Sequence, residues 1–300
     1  MGFFSSYQRI MTKPHLLIQL DPDPHASVFD AVVAADSGVD HLLQYHGVQV
    51  EQVQSLVHGA IFTRGPADLH QTAIFVGGTD VTAGEAILDA VTASFFGPMR
   101  VSVLMDSNGA NTTAAAVVLA AADHLALQDA RAVVLAATGP VGSRVVRLLA
   151  RQGSRVTVAS RQLARAQQVC DDVSQHVEGA QLTPLATSVE GAVEAAVEQA
   201  DLLIAAGAAG IQLVGLDAWS RQPQLRVAID LNAVPPAGIE GIDATARNVM
   251  LNEVACYGAI GVGNTKMKIH KAALKSLFQA NDQVLNAEEV YAIGHDILSS

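Results

Sequence analysis

The stretch Ala132-Val-Val-Leu-Ala-Ala-Thr-Gly139-Pro-Val-Gly142 decides the fold of this chain. It has the pattern of an apolar strand that ends in a glycine turn. A helix follows, with Val145, Val146, Leu148 and Leu149 on its inward face. In that order, these elements predict a dinucleotide-binding unit. The turn would let the backbone approach a pyrophosphate at the positive end of the helix dipole.

The glycine turn is the predicted contact with the cofactor phosphates. Gly139 would let the backbone come close to a pyrophosphate, and Gly142 would let the helix pack closely on the strand. Ala137 takes the place of the first glycine of the usual three, so the pattern is weak without its context. The predicted ligands in the turn are Thr138, Gly139, Pro140, Val141 and Gly142.

The next predicted strand, 155–159, ends in Ser160-Arg161. An NAD-specific site places a carboxylate at about this point to bind the ribose 2′-hydroxyl, whereas a guanidinium suits a 2′-phosphate. Arg165 is one helical turn further on. We therefore predict NADP as the cofactor and Ser160, Arg161 and Arg165 as its ligands. The alternative is a buried glycine turn followed by a solvated arginine.

Two later strand ends complete the predicted cofactor pocket. Ala206-Gly207 follows the strand 202–205, and Asn232 follows the strand 227–230. Glycine at such a strand end allows the cofactor to approach the backbone closely. The alternative for each is a plain turn at the end of a strand.

The chain of 300 residues suits one large or two medium domains. Half of its residues are apolar but only 4% are aromatic, which favours an aliphatic core in which helices pack closely on sheets. Strand-like runs alternate with helical ones, as in α/β proteins with a largely parallel sheet. We predict an N-terminal extension (1–12), an N-terminal α/β substrate domain (13–120), a Rossmann-type doubly wound NADP-binding domain (121–262) and C-terminal helices that pack back on the first domain (263–300).

Individual elements follow from the same periodicity. The predicted strands are 15–20, 59–63, 72–76 and 101–105 in the first domain and 132–136, 155–159, 202–205 and 227–230 in the second. The predicted helices are 27–35, 84–93 and 265–278, and another starts at about residue 287.

The net charge of −11 would be repelled by nucleic acid or an anionic membrane, so neither is an expected partner. The positive charge is nevertheless concentrated. Residues 130–170 contain seven Arg and no carboxylate, and residues 254–281 contain four of the five Lys and no carboxylate. Most of these arginines are expected on solvated helix faces, but the two segments mark where anionic ligands would bind.

Compartment is predicted from what the sequence contains and lacks. The most apolar run, 114–122, is shorter than the roughly 18 residues that a spanning helix needs. Residues 1–13 lack the basic region and apolar run of a secretion signal. Two cysteines, far apart, suggest ordinary thiols in a reducing compartment. We therefore expect a soluble, cytoplasmic protein.

A polar stretch follows the strand 101–105: Asp106-Ser-Asn-Gly-Ala-Asn-Thr-Thr113. Open α/β sheets bind ligands at the carboxyl ends of their strands, so this stretch is a candidate substrate site. The alternative is plain capping of the following helix. Asp21, after the first strand, is a similar and weaker candidate.

Lys266 follows Gly258, Gly261 and Gly263, which suggests a flexible turn from which its side chain points into a cleft. The alternative is a basic helix face in water, which is the expectation for Lys271 and Lys275. The histidines show no short metal-ligand spacing, and neither a Gly-x-Ser-x-Gly motif nor a Cys/His nucleophile stands out. We expect no metal, and hydride transfer by a cofactor fits these absences.

Several stretches together resemble the bacterial methylene-tetrahydromethanopterin dehydrogenases of methylotrophs. Asp106-Ser-Asn-Gly is similar to the NADP-specific branch, which also takes methylene-tetrahydrofolate. Asn232-Ala-Val-Pro-Pro-Ala-Gly is similar to the branch restricted to methanopterin, and Ala137 leaves room for NAD. The resemblance is carried by Ala73-Ile-Phe-Val-Gly-Gly78, Phe95-Phe-Gly-Pro98, Asp106 to Ala114, Thr138 to Gly142, Asp230 to Asp243 and Gly258 to Lys266.

The resemblance implies oxidation of 5,10-methylene-tetrahydromethanopterin to the methenyl form by direct hydride transfer to NADP, in a homo-oligomer. Lys266 and Asp106 would be the catalytic residues, with Lys266 orienting the pterin through hydrogen bonds. The other pterin ligands would be Asp21, Asn108, Asn111, Thr112 and Thr113. Two alternatives are a methylene-tetrahydrofolate dehydrogenase and a non-catalytic NADPH-binding regulator.

Overall fold

The computed structural model describes residues 13–299, which form two largely parallel sheets flanked by helices. The first half contains β1 (Leu16–Leu20), α1 (Val28–Asp36), β2 (His41–Tyr45), α2 (Val50–Ile61), β3 (Thr72–Val76), α3 (Val81–Ala93), β4 (Ser102–Met105) and α4 (Ala110–Ala122). The second half contains β5 (Arg131–Leu135), α5 (Pro140–Arg151), β6 (Arg155–Ser160), α6 (Leu163–His176), β7 (Gln181–Ala186), α7 (Ala192–Glu198), β8 (Leu202–Ala205), α8 (Leu216–Trp219), β9 (Val227–Asp230), β10 (Arg247–Leu251), β11 (Val254–Tyr257), α9 (Ala259–Ser276), β12 (Val284–Leu285) and α10 (Ala287–Ser299).

The strand orders define the topology. The first sheet has the order β12-β4-β3-β1-β2, with every neighbouring pair parallel. The second has the order β10-β11-β9-β8-β5-β6-β7 and is parallel except for β10. Chain order reverses at β5, between β6 and β8, where doubly wound sheets bind their ligands. The predicted α/β fold with a Rossmann-type sheet is confirmed.

One helix joins the cores of the two sheets. Of the 13 residues of α4, 11 are buried, and they are mostly Ala and Val. A helix that is apolar on all sides has neighbours on all sides. The same core cluster contains Leu17 and Phe75 of the first sheet and Val134 and Val158 of the second, so α4 packs between them.

The predicted domain boundaries remain a proposal. The division at residue 120 falls in the last turn of α4, and the returning strand β12 pairs with β4 of the first sheet. The predicted extension, residues 1–12, lies outside the described residues. Across residues 13–299, we find no helix long and apolar enough to cross a membrane.

Most predicted strands are observed within one residue of their predicted bounds, but the strand predicted at 59–63 is wrong. This segment overlaps the end of α2, whose buried residues Val53, Val57, Ala60 and Ile61 recur at helical spacing. The second strand of the first sheet is instead β2, which was not predicted. It lies at the sheet edge and is mostly exposed, so it lacks the apolar run that marks a buried strand.

The flexible turn predicted before Lys266 is also wrong. Helix α9 begins at Ala259 and runs through Gly261 and Gly263. A Cβ on Gly258 would lie 2.1 Å from the carbonyl oxygen of Asp243, and one on Gly261 would lie 1.9 Å from that of Ala246. These two glycines therefore let the start of α9 pack directly on another backbone segment.

Candidate functional site

A cavity of about 560 Å³ lies at the carboxyl edge of the second sheet, beside β5, β6 and β8. Five of the cofactor ligands that were predicted from the sequence line this cavity. They are Thr138, Ser160, Arg161, Arg165 and Gly207. The remaining walls include Leu135, Ala136, Gln162, Thr187, Ala208 and Leu213.

Two of the seven arginines in residues 130–170 differ from the others because they have no ion-pair partner among residues 13–299. Five form ion pairs with carboxylates from elsewhere in the chain: Arg131 with Asp201, Arg144 with Glu85, Arg147 and Arg151 with Glu288, and Arg155 with Asp129. Within residues 13–299, no carboxylate lies within ion-pairing distance of Arg161 or Arg165, and both are exposed at the cavity. Their positive charge is therefore available to an anion.

The glycine turn has the close approach expected at Gly142, where a Cβ would lie 2.8 Å from Cα of Ala137. The left-handed backbone conformation falls on Ala136, with φ +53°. Pro140 occupies the first turn of α5, where the missing N–H costs no hydrogen bond. Val141 packs against two core clusters, including the one between the first sheet and helices α2 and α3.

The two later strand ends have different environments. The carbonyl oxygen of Ala206 faces Gly139 across the turn, 3.8 Å from where a Cβ there would lie. Asn232 is buried, and its Oδ1 accepts hydrogen bonds from the N–H groups of Gly210 and Val234. Its Nδ2 donates to the carbonyl oxygen of Pro236. Asn232 thus shapes the loop beside the cavity and is not among the residues that line it.

A second polar centre lies at the carboxyl edge of the first sheet, where Asp106 follows β4. Its Oδ1 accepts hydrogen bonds from the N–H groups of Asn111 and Thr112 at 2.9 and 3.0 Å. Its Oδ2 accepts from the Thr112 hydroxyl at 2.6 Å. Burial raises the pKa of Asp106, and the charge of Lys266 acts in the opposite direction. Asp106 therefore caps the start of the helix, and together with Thr112 it forms a buried, polar floor.

Lys266 comes to this floor from the third turn of α9. Its Nζ lies 5.3 Å from the centre of the Phe29 ring, which suits a cation–π contact. The ammonium also lies against the Gly109 backbone, because a Cβ on that glycine would be 2.3 Å from Nζ. Lys266 therefore lies next to the loop that starts with Asp106.

Two aspartates from the neighbouring strand β1 and helix α1 approach the same edge. Asp21 is buried, and its Oδ2 accepts a hydrogen bond from the N–H of Ser27 at 3.1 Å. Oδ2 atoms of Asp21 and Asp30 each lie 3.4 Å from the point that a Cβ on Gly77 would occupy. Burial raises the pKa of Asp30, while the charges of His270 and Lys266 act in the opposite direction.

Asp30 was not predicted from the sequence. The only signal is the capped start of α1, where Ser27 is the N-cap and accepts a hydrogen bond from the Asp30 N–H. Because α1 follows β1 directly, its first turn must lie at the carboxyl edge of the sheet.

His270 was also missed. Its ring lies 5.7 Å from that of Phe75, and both of its nitrogens are buried without a hydrogen-bond partner among residues 13–299. Burial lowers its pKa to about 4, so the imidazole is neutral at neutral pH. The available signal was its position four residues after Lys266, which places both on one helix face once α9 is recognised.

The remaining predicted pterin ligands are placed differently. Asn111 is fully buried, and its Nδ2 donates to the carbonyl oxygen of Met105 and to Asn286. The Thr113 hydroxyl donates to the carbonyl oxygen of Gly109 at 2.6 Å. Asn108 is exposed in the loop that also contains Gly109, and it has a left-handed φ of +55°. Asn108 is therefore accessible to a ligand, whereas Asn111 is enclosed by protein.

The two centres together can bind an anionic dinucleotide and an organic substrate, with several carboxylates near the latter. Among residues 13–299, no group of three or more His, Cys, Asp or Glu side chains is arranged to hold a metal ion. The chemistry that the described residues offer is orientation and electrostatic stabilisation.

Comparison with known proteins gives two family matches along the chain. Residues 28–108 match the N-terminal region of methylene-tetrahydromethanopterin dehydrogenase. Residues 119–253 match the shikimate / quinate 5-dehydrogenases. Among solved structures, 5-ketofructose reductase of Gluconobacter sp. strain CHM43 aligns at a TM-score of 0.57 and 14% identity, over 95% of this chain and 99% of that one. Quinate dehydrogenase from Corynebacterium glutamicum aligns at 0.56 and 12%, over 96% and 99%. Both show the fold alone.

Two full-length relatives come from Methylorubrum extorquens. The bifunctional protein MdtA is 42% identical over 94% of this chain and 98% of its own length. The NAD(P)-dependent methylenetetrahydromethanopterin dehydrogenase is 30% identical over the same shares. Identity at this level over nearly the whole length shows the family. The chain belongs to the methylene-tetrahydromethanopterin dehydrogenase family.

Proposed function

We propose that this protein oxidises 5,10-methylene-tetrahydromethanopterin to the methenyl form by direct hydride transfer to NADP. The observation that carries the proposal is the cavity arginine pair. Arg161 and Arg165 lack a carboxylate partner among residues 13–299, whereas five neighbouring arginines are ion-paired. The reaction follows from the name of the full-length relative at 30% identity.

The residues of the cavity fit NADP. The N–H groups at the start of α5 and the close packing at Gly142 form a cradle for a pyrophosphate. Arg161, Arg165 and Ser160 line this cavity and would hold the 2′-phosphate, because guanidinium groups bind phosphate with paired, charge-assisted hydrogen bonds. NADP, when bound, supplies the hydride acceptor.

The substrate needs little help with protons. The hydride leaves from the carbon that bridges N5 and N10 of the pterin, and the positive charge left behind is shared by the two nitrogens. No acid or base is required for that step. The protein must hold donor and acceptor carbons at roughly 3–3.5 Å in the right orientation.

The polar centre around Asp106 at the carboxyl edge of the first sheet, here called the first-sheet centre, has carboxylates that suit a cationic product. Asp21, Asp30 and Asp106 come together at its edge, and Lys266 is the facing cation. Carboxylates near the bridge would stabilise the developing positive charge, because charge complementarity to the transition state lowers the barrier. We propose that Lys266 orients the pterin through hydrogen bonds and stays clear of the reacting carbon, since an ammonium there would oppose hydride loss.

The direct test is an absorbance assay at the NADPH band with methylene-tetrahydromethanopterin and NADP. Reduction of NADP supports the proposal. Binding of NADPH without any reduction by folded protein would favour the non-catalytic regulator. Parallel kinetics with methylene-tetrahydrofolate distinguish the two pterins, and a higher kcat/KM for the folate would make the protein a folate dehydrogenase.

The proposal also covers the compartment, the oligomeric state and the partners of the enzyme. We expect a cytoplasmic homo-oligomer, with no nucleic acid or membrane partner. Sedimentation analysis of the purified chain tests the assembly, and a monomer at micromolar concentration would contradict it.

A further inference from the structure

The guanidinium of Arg144 lies buried at the junction between the two predicted binding sites. Only 8% of this residue is exposed, although arginine is among the side chains that are almost never fully buried without partners. Its Nε donates to Oδ1 of Asn111, and its Nη1 donates to the carbonyl oxygen of Pro140 at 3.2 Å. Its Nη2 pairs with Glu85 at 2.8 Å.

One arm of this network ends at Asp106, in the predicted pterin site at the carboxyl edge of the first sheet, here called the pterin centre. Asn111, which accepts from Arg144, donates its own backbone N–H to Oδ1 of Asp106 at 2.9 Å. Asn111 also binds the carbonyl oxygen of Met105 at the end of β4 through Nδ2. Arg144 thus holds the residue that connects β4 to the Asp106 carboxylate.

The other arm ends at the cofactor turn. Pro140, whose carbonyl oxygen Arg144 binds, follows Gly139 in the turn that would hold the pyrophosphate. Helix α5 carries both residues, so the guanidinium folds back over its own N-terminal turn. A continuous chain of hydrogen bonds therefore runs from Pro140 through Arg144 and Asn111 to Asp106.

Packing alone does not fill this junction. A cavity of about 400 Å³ lies there, and its walls include Glu85, Pro140, Arg144 and Asn286. At this point side-chain hydrogen bonds add to the packing of α4 and α5 in limiting the relative movement of the two parts. Arg144 supplies three of those bonds from one rigid, planar group.

A purely structural ion pair explains less of the geometry. The partner Glu85 is 52% exposed, and a buried charge with a solvated partner is weak evidence of stabilisation. An apolar side chain at this site would leave the buried Oδ1 of Asn111 without its donor, and it could not connect Pro140 to Asn111.

We infer that Arg144 is a positioning residue, which sets the distance between the cofactor turn and the pterin centre and so the rate of hydride transfer. This inference rests on the proposed function. Because hydride transfer is sensitive to donor–acceptor geometry, loosening the junction should slow the chemical step more than it weakens binding of either ligand.

The test is single-turnover hydride transfer, followed by stopped-flow absorbance with both ligands saturating, in the wild type, Arg144→Met and Arg144→Lys. We expect the rate constant of Arg144→Met to fall roughly tenfold or more, with dissociation constants for NADP and the pterin within about threefold of the wild type. Arg144→Lys should recover part of the rate, because an ammonium is a compact point donor that cannot span Asn111, Pro140 and Glu85 at once as the planar guanidinium does.

Arg147→Met is the matched control. Arg147 lies one turn further on α5 and pairs with Glu288 on α10, without a bond to Asn111 or Asp106. Its rate constant should stay within about twofold of the wild type. A merely structural role of Arg144 would lower the melting temperature and the burst amplitude, but it would leave the rate constant of the folded fraction unchanged.

The outcomes separate this inference from the proposed function. An inactive wild type would overturn both. An active wild type with an equally fast Arg144→Met would overturn the positioning role alone. If Arg144→Met does not fold, Arg144→Lys decides: a rate constant equal to that of the wild type overturns the inference, and a slower one with unchanged ligand affinities supports it.

Discussion

Nδ1 of His270 lies 4.0 Å from Oδ2 of Asp106, and both side chains are buried. This distance is too long for a hydrogen bond, and neither nitrogen of His270 has a partner among residues 13–299. Asp30 on α1 and Lys266 on α9 also act on this imidazole, with opposite effects on its pKa. Burial dominates, so His270 remains neutral in the folded chain down to a pH of about 4.

The neutral His270 should make stability depend on pH. In the unfolded chain, its pKa is near 6.5, so between pH 6.5 and about 4 the unfolded state binds a proton that the folded state does not. The free energy of unfolding should therefore decrease as the pH is lowered across this window. Above the window, His270 should add no pH dependence. At about 1.4 kcal/mol per pH unit, the loss is on the order of 3 kcal/mol at pH 4.

Urea unfolding of the wild type and of His270→Leu at a series of pH values isolates this contribution. Asp30 and Asp106 have raised pKa values and act in the opposite direction, but both proteins contain them. Toward low pH, the free energy of unfolding of the wild type should decrease by about 3 kcal/mol relative to that of His270→Leu. Parallel curves would show that His270 is not buried as a neutral group.

Removal of the Lys266 ammonium should impair turnover more than cofactor binding. We expect Lys266→Ala to lower kcat roughly tenfold or more and to leave the affinity for NADP nearly unchanged, because Lys266 lies at the first-sheet centre beside Gly109. Steady-state kinetics and titration with NADP measure the two effects. Lys268→Ala, an exposed change on the same helix, is the matched control. Unaltered turnover in Lys266→Ala would remove this lysine from the site.

Loss of the Arg161 guanidinium should discriminate between cofactors. Arg161→Ala should raise the KM for NADP roughly 10- to 100-fold, which corresponds to one lost hydrogen bond to a charged group. The KM for NAD should change much less, since NAD lacks the 2′-phosphate. Arg155→Ala removes an exposed arginine that begins β6, the strand that Arg161 follows, and that is paired with Asp129. This change should affect neither constant. Equal effects of Arg161→Ala on both cofactors would contradict the phosphate assignment.

Replacement by glycine should have opposite effects on stability at two neighbouring alanines. Ala136 has a φ of +53°, where an L-residue is strained by about 1 kcal/mol or more, so Ala136→Gly should raise the free energy of unfolding by about 0.5 kcal/mol after the entropic cost of glycine. Ala137 is fully buried without a positive φ, and Ala137→Gly should lower it by about 1 kcal/mol. Denaturant unfolding measures both, and a destabilised Ala136→Gly would contradict the strain at Ala136.

The local errors in the prediction have a common cause. The segment 59–63 is short and apolar, and a short apolar run does not distinguish a strand from the end of a helix. The glycines before Lys266 suggested flexibility, but Gly258 and Gly261 lie against the backbone at Asp243 and Ala246, which belong to an earlier segment of the chain. Neighbouring residues alone do not reveal such an approach.

The amino-acid sequence by itself determined the class of fold and predicted which edge of the second sheet would bind the cofactor. Strand, glycine turn and helix are local features, and the Ser160-Arg161 pair follows at a fixed distance along the chain. Periodicity and turn chemistry act between near neighbours, so they can be recognised without coordinates.

Only the tertiary structure decided which charges are free and which side chains share a site. Arg144 and Arg161 have the same chemistry, but a carboxylate 59 residues away pairs with Arg144 and none among residues 13–299 pairs with Arg161. Asp30 meets His270 because α1 and α9 pack together across more than 200 residues of chain. Charge pairing and burial depend on contacts between distant segments, and folding alone brings those segments together.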